Sequence, residues 1–271
     1  MYPFLKWAGG KSRLLPEIRS VLPKKYNKLI EPFVGAGSVF MGLSPEELVI
    51  NDYNEELINC YRVIRDDVDA LIKELEVLSK KISEKDFLDI RNIDRDKDKF
   101  KEKTNVEKAA RTIYLNKTCF NGLYRVNSNN QFNVPFGKYK NPRILDENNL
   151  KEISLFLKNA TILSGDFEKA LDFAKSGDLV YFDPPYYPIS KTSSFTAYTK
   201  NGFTEKDQIR LKENIDKLDS LDINFLLSNS CCEFIKNLYK DYTIKEIETR
   251  RMISASSVGR NIVKEVLIYN Y

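Results

Sequence analysis

Four consecutive residues, Asp183-Pro184-Pro185-Tyr186, carry groups that could act on a planar base with an exocyclic amine. The Asp183 carboxylate and a proline carbonyl can each accept one N–H of an NH2 group, which draws electron density onto the nitrogen and orients its lone pair. The Tyr186 ring can stack on the base, as aromatic side chains generally do. An ordinary strand-to-loop turn with a buried tyrosine is the alternative interpretation of the same residues.

A strand must position this turn. The preceding segment Leu179–Phe182 is short, apolar and rich in β-forming residues, which predicts a buried strand. Each proline fixes its own φ and pushes the residue before it toward an extended conformation, so the turn is stiff. The turn lies at the carboxyl end of the strand, where open α/β sheets bind their ligands.

The composition excludes several kinds of catalysis. The 271-residue chain contains no histidine, which removes most serine–histidine, cysteine–histidine and histidine-based metal chemistry. Its four cysteines do not have the paired spacing of a zinc site, so we expect no metal and a reduced, cytoplasmic compartment. No signal peptide or long apolar segment is present, so we expect no membrane span. Catalysis would depend on carboxylates, backbone groups and positioning.

Gly9-Gly10-Lys11 forms a second group of residues with binding chemistry, ahead of a helical pattern that extends to about Val21. The glycine N–H groups, with Lys11 just inside the helix, would form a site for an anion such as a carboxylate. The first glycine and the spacing of a phosphate-binding P-loop are missing, and a surface turn is the alternative.

A glycine turn also follows a strand predicted over 28–32. Gly35 and Gly37 allow the backbone to approach a ligand closely, and the next strand ends at Asp52, which is placed to accept hydrogen bonds from ribose hydroxyls. The dinucleotide fingerprint would need a third glycine where Phe40 stands. The pattern therefore suits an adenosyl ligand without a pyrophosphate.

Charge is distributed unevenly along the chain, whose formal net charge is +4. Residues 91–145 contain 13 lysines and arginines against 5 acidic residues, whereas the remainder contains 30 against 34. Helices are predicted over 54–72 and 73–118. The basic loop over 120–139 interleaves aromatic residues, asparagines and arginine, as base-edge readout and stacking require. This charge and aromatic pattern indicates a polyanion partner. Solvated charged helices followed by a well-packed aromatic hairpin are the alternative interpretation.

The other segments complete an α/β pattern, with further strands predicted over 160–163, 223–228, 242–248 and 263–269 and a helix over 204–219. A Ser/Thr-rich loop over 188–202, with Phe195 and Tyr198 and next to Phe203, is expected to cover the site. The basic loop that contains Arg250 and Arg251 suits phosphate contacts.

These elements predict an α/β fold with a doubly wound, mostly parallel sheet. Residues 1–61 and 146–271 would form the catalytic domain. Residues 62–145 would form an inserted, mainly helical subdomain that recognises the target.

Together these residues resemble the D12 class of DNA adenine-N6 methyltransferases, of the Dam/DpnM type, over nearly the whole chain. The motifs appear in the family's order: Lys6-Trp7-Ala8-Gly9-Gly10-Lys11, Glu31-Pro32-Phe33-Val34-Gly35-Ala36-Gly37-Ser38-Val39-Phe40, Asn121-Gly122-Leu123, Phe132-Asn133-Val134-Pro135-Phe136-Gly137 and Asp183-Pro184-Pro185-Tyr186. The resemblance implies a Rossmann-like methyltransferase sheet that binds S-adenosyl-L-methionine. The residues expected to bind this cofactor are Trp7, Ala8, Gly9, Gly10, Lys11, Glu31, Phe33, Gly35, Gly37, Ser38, Asp52, Asp166, Phe167 and Asp183.

The resemblance also implies a double-stranded DNA partner with the site GATC. Arg125 matches the family's first-base guanine contact, and Leu123 and Pro135 match its contacts to later bases. Phe120-Asn121 matches a Tyr-Asn pair that fills the gap left by the extruded adenine, although phenylalanine lacks the hydroxyl. The residues expected to bind DNA are Phe120, Asn121, Leu123, Arg125, Asn133, Pro135, Lys138, Arg250 and Arg251.

The implied chemistry is a direct, in-line methyl transfer at Asp183, Pro184, Pro185 and Tyr186, which requires neither metal nor histidine. Three other functions remain compatible with parts of the sequence. The glycine turn alone would suit a nicotinamide dehydrogenase. A related proline turn would suit methylation of protein glutamine or of RNA, and a DNA-binding module would need no cofactor. The resemblance leaves open whether the enzyme acts beside a companion restriction endonuclease or alone.

Overall fold

The sheet at the centre of the molecule is built from short apolar segments that alternate with helices along the chain. The computed structural model describes residues 1–189, 202–250 and 262–271, with backbone alone at 249, 250, 262 and 263. The strands in this part of the chain are β1 (Lys28–Glu31), β2 (Glu47–Ile50), β3 (Thr161–Ile162), β4 (Leu179–Phe182), β5 (Asn224–Ser230), β6 (Thr243–Arg250) and β7 (Ile262–Tyr269).

The strand order is β3-β2-β1-β4-β5-β7-β6. Strands β1 to β5 pair in parallel, and β7 is antiparallel to both β5 and β6. All four residues of β4 are buried, as expected for a parallel strand inside a sheet that is covered on both faces. The predicted α/β, doubly wound, mostly parallel fold is therefore confirmed. Because β1 leads to β2 on one side and has β4 on the other, the carboxyl ends of β1 and β4 border the crevice where such sheets bind ligands.

The helices begin at residues that can cap them. Thr104 and Thr204 each form a capping box, in which the threonine hydroxyl accepts the N–H of the third helical residue. The α-helices of the described residues are α1 (Leu15–Ser20), α2 (Ser38–Leu43), α3 (Glu55–Asp66), α4 (Val68–Ser79), α5 (Glu84–Arg91), α6 (Lys97–Glu102), α7 (Asn105–Thr118), α8 (Glu147–Leu157), α9 (Glu168–Leu171), α10 (Glu205–Ser220) and α11 (Glu233–Leu238).

Two helix predictions were wrong in their bounds. The helix expected from about residue 11 starts only at Leu15, because residues 11–14 form a turn in which the Leu14 N–H donates to the Lys11 carbonyl at 2.8 Å. The helix expected over 54–72 is interrupted at Asp67, whose φ of −144° is not helical. Strand β5 is longer than expected and continues to Ser230.

Helices from the predicted insert pack directly on helices of the predicted catalytic domain. Helix α7 packs on α3, α4 and α5, and α3 packs on α8. Apolar residues from both parts, such as Leu29 of β1, Leu71 of α4 and Tyr114 of α7, share one core. Helix α3 is continuous through position 61, and the division at 61/62 and 145/146 stays a prediction. No described helix is both long and apolar enough to span a membrane.

Candidate active site

Asp183 lies directly after β4, with 20% of its side chain exposed at the crevice. Its Oδ1 is 2.7 Å from Nζ of Lys11 and accepts a hydrogen bond from the hydroxyl of Ser228 at 3.2 Å. The Ser228 hydroxyl also contacts the Tyr181 hydroxyl at 2.8 Å. Strands β4 and β5 and the N-terminal turn therefore position one carboxylate.

Two further carboxyl groups lie close to Asp183. Burial raises the pKa of Asp183, and the nearby Lys11 ammonium and Ser228 hydroxyl oppose that rise. Burial raises the pKa of Glu31, at the end of β1, well above its ordinary range, and the Asp183 charge adds to this effect. Burial also raises the pKa of Asp52, against hydrogen bonds from the N–H groups of Asn54 and Gly35. This concentration of acidic groups favours a cationic ligand.

A cavity at the carboxyl ends of β1 and β4 brings most of the predicted cofactor residues together. Those that line it are Trp7, Ala8, Gly9, Gly10, Lys11, Glu31, Phe33, Gly35, Ser38 and Asp183. Its wall also includes Val34, Ala36, Val39 and Tyr181, which the sequence analysis did not assign to the site. The first three lie within the quoted motif, and Tyr181 lies on β4 two residues before Asp183, so proximity to the motifs was the available signal.

The glycine turn after β1 has no room for side chains. Gly37 has a φ of +74°, and a Cβ atom there would come within 2.3 Å of the Phe40 ring. At Gly35 a Cβ atom would lie 3.2 Å from the Trp7 ring. The N–H of Gly35 donates to Oδ2 of Asp52 at 3.0 Å, which joins the turn to the end of β2. Gly37 and Asp52 support the cavity without lining it.

The predicted arrangement of Lys11 inside a helix, beside two free glycine N–H groups, is wrong. The Gly10 N–H donates to the Trp7 carbonyl at 3.2 Å, and Lys11 precedes the start of the helix. Nζ of Lys11 donates to the Gly9 carbonyl at 2.6 Å and contacts Asp183. It also lies 4.8 Å from the centre of the Tyr186 ring. Lys11 is thus directed at the turn over 183–186.

Asp166 and Phe167 lie beside the cavity rather than in its wall. Arg210 of α10 donates to both oxygens of Asp166, at 3.0 and 2.9 Å, and stacks on Phe167 at 4.5 Å. Burial opposes ionisation of Asp166, but the Arg210 hydrogen bonds, the Glu168 N–H and the Arg210 charge together outweigh it and lower the pKa of that carboxyl group. Phe167 stacks on Phe33, which does line the cavity, at 5.4 Å.

The remaining groups of the turn over 183–186 are held by residues that the sequence analysis did not identify. The Tyr186 hydroxyl donates to Glu265 of β7 at 2.8 Å. The Pro185 carbonyl accepts a hydrogen bond from Gln208 of α10 at 2.9 Å. Neither Glu265 nor Gln208 belongs to a recognisable motif, so pattern alone could not have revealed them. No group of three or more acidic or cysteine residues in the described ranges could hold a metal ion.

The predicted DNA-binding loop forms an irregular hairpin. The Phe120 N–H donates to the Pro135 carbonyl at 2.9 Å, and Arg125 donates to the side-chain and backbone oxygens of Asn133 at 3.0 and 2.8 Å. Phe120 is 51% exposed. Of the other predicted DNA-binding residues, Asn121, Arg125, Pro135 and Lys138 are exposed, whereas Leu123 and Asn133 are half-buried.

The aromatic residues of this loop also pack, as the alternative interpretation of its composition expected, and its role in DNA binding stays a prediction. Tyr124 is buried between Trp7, on which it stacks at 5.0 Å, and Phe132 at 5.9 Å. The predicted cover loop over 188–202, with Phe195 and Tyr198, lies largely outside the described residues, as do Arg251 and the side chain of Arg250. Phe203 is described and packs on Phe33 at 5.7 Å.

Comparison with known proteins identifies the family of this chain. The model of the D12 class N6 adenine-specific DNA methyltransferases matches residues 7–253. The type II methyltransferase M1.LlaDCHI of Lactococcus lactis subsp. cremoris is 48% identical, with 99% of this chain and 95% of the relative covered. The type II methyltransferase M.MjaIII of Methanocaldococcus jannaschii is 45% identical, with 99% of both chains covered. The DNA adenine methylase of Escherichia coli K12 is 35% identical, with 97% of this chain and 93% of the relative covered. The chain therefore belongs to the D12 class of N6 adenine-specific DNA methyltransferases.

Proposed function

We propose that this enzyme transfers a methyl group from S-adenosyl-L-methionine to N6 of an adenine that is extruded from double-stranded GATC. The observation that carries this proposal is the meeting of Asp183 and Glu31, at adjacent strand ends, around one cavity. A buried acidic cavity beside a carboxylate and a carbonyl fits a cationic methyl donor together with an amine acceptor. The names of the relatives support DNA adenine as the substrate.

The residues of the cavity fit the cofactor chemically. Oε1 of Glu31 is buried and has no hydrogen-bond partner within the described part of the chain, so it requires a donor such as an ammonium group. The turn through Gly35 lets a ligand approach the backbone, and Trp7 supplies an apolar wall. Asp52 would accept hydrogen bonds from ribose hydroxyls, and Phe33 and Phe167 would contact the adenine end. When bound, the cofactor supplies an electrophilic methyl group.

The turn Asp183-Pro184-Pro185-Tyr186, which we call the catalytic turn, would hold the target amine. Asp183 and the Pro184 carbonyl would each accept a hydrogen bond from one N–H of this amine, which would orient the nitrogen lone pair for attack on a methyl group. The Lys11 ammonium, 2.7 Å from Asp183, favours the ionised form of that carboxyl group, and the Tyr186 ring would stack on the base. As the methyl–sulfur bond breaks and the methyl–nitrogen bond forms, positive charge would develop on the amine nitrogen, where fixed dipoles would stabilise it. The methylated amine would then lose one N–H proton to solvent.

The hairpin over 120–139 would read the duplex. Arg125 would bond a guanine bidentately, and Leu123 and Pro135 would contact later bases. Phe120 would stack in the gap left by the extruded adenine, whose unstacking costs a few kcal/mol. We assign this role to the predicted subdomain 62–145, and phosphate contacts to Lys138, Arg250 and Arg251. The type II names of two relatives support a companion restriction endonuclease.

The test of this function is incorporation of tritiated methyl groups into a GATC duplex, repeated with each base pair changed in turn. We expect incorporation into adenine of GATC, and loss of incorporation when any of the four base pairs is changed. Equal incorporation into all duplexes would refute the assigned site, and no incorporation into any DNA would refute the proposed function.

The first substitution to examine is Asp183→Ala. It removes one of the two acceptors of the target amine, so we expect methyl transfer to fall below detection while duplex binding persists. Gel-shift and methyl-incorporation measurements on the same preparation separate the two properties. Transfer at a near-native rate would remove Asp183 from the mechanism.

A further inference from the structure

Two buried amide side chains lie behind the catalytic turn, on elements that the proposed mechanism does not use. Asn229 lies near the end of β5, and Gln208 lies in the first turns of α10. Both side chains are at least 99% buried. The side chain of Asn229 donates from Nδ2 to Oε1 of Gln208 at 3.1 Å. Buried amides of this kind are retained only where their hydrogen bonds are satisfied.

The pair is bonded to the backbone on both sides of Tyr186. Nε2 of Gln208 donates to the Pro185 carbonyl at 2.9 Å, which fixes the peptide before Tyr186. Oδ1 of Asn229 accepts the Tyr187 N–H at 3.1 Å, which fixes the peptide after it. The rotation of Tyr186 about its own φ and ψ is therefore restricted from both directions.

The same bonds distinguish between the two proline carbonyls of the turn. The Pro185 carbonyl is engaged by Gln208, whereas the hydrogen bonds of the described residues leave the Pro184 carbonyl uncommitted. The Pro184 carbonyl can therefore accept a target amine without competition from a donor in the described ranges. The orientation of one peptide determines that of its neighbour, because prolines leave little freedom between them.

We propose that the Gln208–Asn229 pair is a positioning device that fixes the Tyr186 ring and directs the Pro184 carbonyl at the target amine. The pair contacts neither cofactor nor DNA and acts through the backbone of the catalytic turn. The proposal rests on the roles proposed above for Pro184 and Tyr186. It predicts that the amide pair controls the rate of methyl transfer rather than the affinity for either substrate.

The decisive variants are Gln208→Met and Gln208→Glu, examined in single-turnover transfer to the duplex that the unmodified protein methylates. Gln208→Met preserves volume but removes the donor to Pro185, and we expect the rate to fall about 100-fold, as misplaced reacting groups typically cause. The dissociation constants of cofactor and duplex should change by less than about threefold.

Gln208→Glu tests positioning through the pH dependence of the transfer rate, which a purely structural role of Gln208 would leave unchanged. Its ionised carboxylate cannot donate to the Pro185 carbonyl, but its protonated form can. Burial favours protonation, so we expect the rate to rise as the pH is lowered toward about 6, whereas Gln208→Met shows no such rise. The unmodified protein serves as reference, because it contains the other titratable groups of this region, Asp183, Tyr186, Glu205 and Glu265.

Leu211→Ala is the matched control, because it lies on α10, is fully buried and opens the core without removing a hydrogen bond of the amide pair. Asn229→Asp, which keeps both acceptor bonds but loses the donor to Gln208, replaces Gln208→Met if that variant does not fold. The proposal would be overturned if Gln208→Met transferred methyl groups at a rate within about threefold of that of Leu211→Ala. It would also be overturned if the transfer rate of Gln208→Glu did not rise as the pH is lowered. Absence of transfer by the unmodified protein would instead refute the proposed function.

Discussion

Glu31 is a buried carboxyl group placed where a ligand could compensate its charge. Among the described residues its Oε1 has no hydrogen-bond partner, and burial holds its pKa far above the ordinary value. An ionised carboxylate in such a position destabilises the ligand-free protein. A cationic ligand would remove this cost, so the destabilisation and the proposed binding role have the same origin.

The pH dependence of stability tests this view of Glu31. Because its folded pKa is raised, the folded state holds a proton that the unfolded state has lost, and the free energy of unfolding falls as the pH rises through that window. The slope for one such group is at most about 1.4 kcal/mol per pH unit. Glu31→Gln should reduce the slope measured by urea denaturation of the cofactor-free protein from about pH 4.5 upward.

The matched control is Glu47→Gln, which lies at the exposed start of the neighbouring strand β2. Its slope should equal that of the unmodified protein. A Glu31→Gln slope that also equals it would contradict the assignment of a raised pKa to Glu31.

At the scale of elements, single buried polar residues attach the hairpin over 120–139 to the rest of the molecule. Asn116 of α7 bonds the backbone N–H and carbonyl of Lys6, at 2.9 and 2.8 Å, and the Gly122 carbonyl at 2.9 Å. Asp94 pairs with Arg111 of α7 at 2.7 Å and accepts the Phe132 N–H at 2.8 Å. Buried polar side chains of the predicted insert therefore hold both arms of the hairpin.

Asp94→Asn should be strongly destabilising. It leaves the buried Arg111 guanidinium without its opposite charge, which typically costs about 3–5 kcal/mol. Urea denaturation measures this loss, and Asp98→Asn, at an exposed position of α6, should change stability by less than about 0.5 kcal/mol. Equal stability of the two variants would show that the buried pair contributes nothing.

The elements also show which features could be predicted from sequence. The strand before Asp183 and the turn after β1 were predictable, because local β-forming residues, prolines and glycines determine them. The contacts of Gln208, Ser228 and Glu265 were not, since they depend on which distant strand and helix lie beside the turn. The late start of α1 at Leu15 escaped prediction because a hydrogen-bonded turn has nearly the same spacing of apolar residues as a helix.

At the scale of the whole molecule, the positive charge of residues 91–145 contrasts with the acidic cavity around Glu31 and Asp183. The two regions would attract partners of opposite sign, a polyanion and a cationic cofactor. The neutralised phosphates would make duplex affinity fall steeply with salt concentration, whereas binding in the enclosed cavity would respond weakly.

Salt dependence separates the two kinds of DNA contact that we propose. Lys138→Gln should weaken binding to all duplexes equally and reduce the salt slope by about one. Arg125→Ala should instead lower discrimination at a single base pair by about 1–3 kcal/mol. Titrations by fluorescence anisotropy at several salt concentrations measure both effects, and the reverse pattern would exchange the two assignments.

The stack of Trp7 on Tyr124 places one indole ring between the cavity at the ends of β1 and β4 and the hairpin over 120–139. A ligand that shifts Trp7 would also displace Tyr124 in the hairpin. A duplex that shifts Tyr124 would likewise displace Trp7 in the wall of the cavity. Linkage makes these two effects equal, so each partner alters the affinity for the other by the same factor. The order in which ligand and duplex are added would then not affect the equilibrium, and any preferred order of binding would arise from the binding rates.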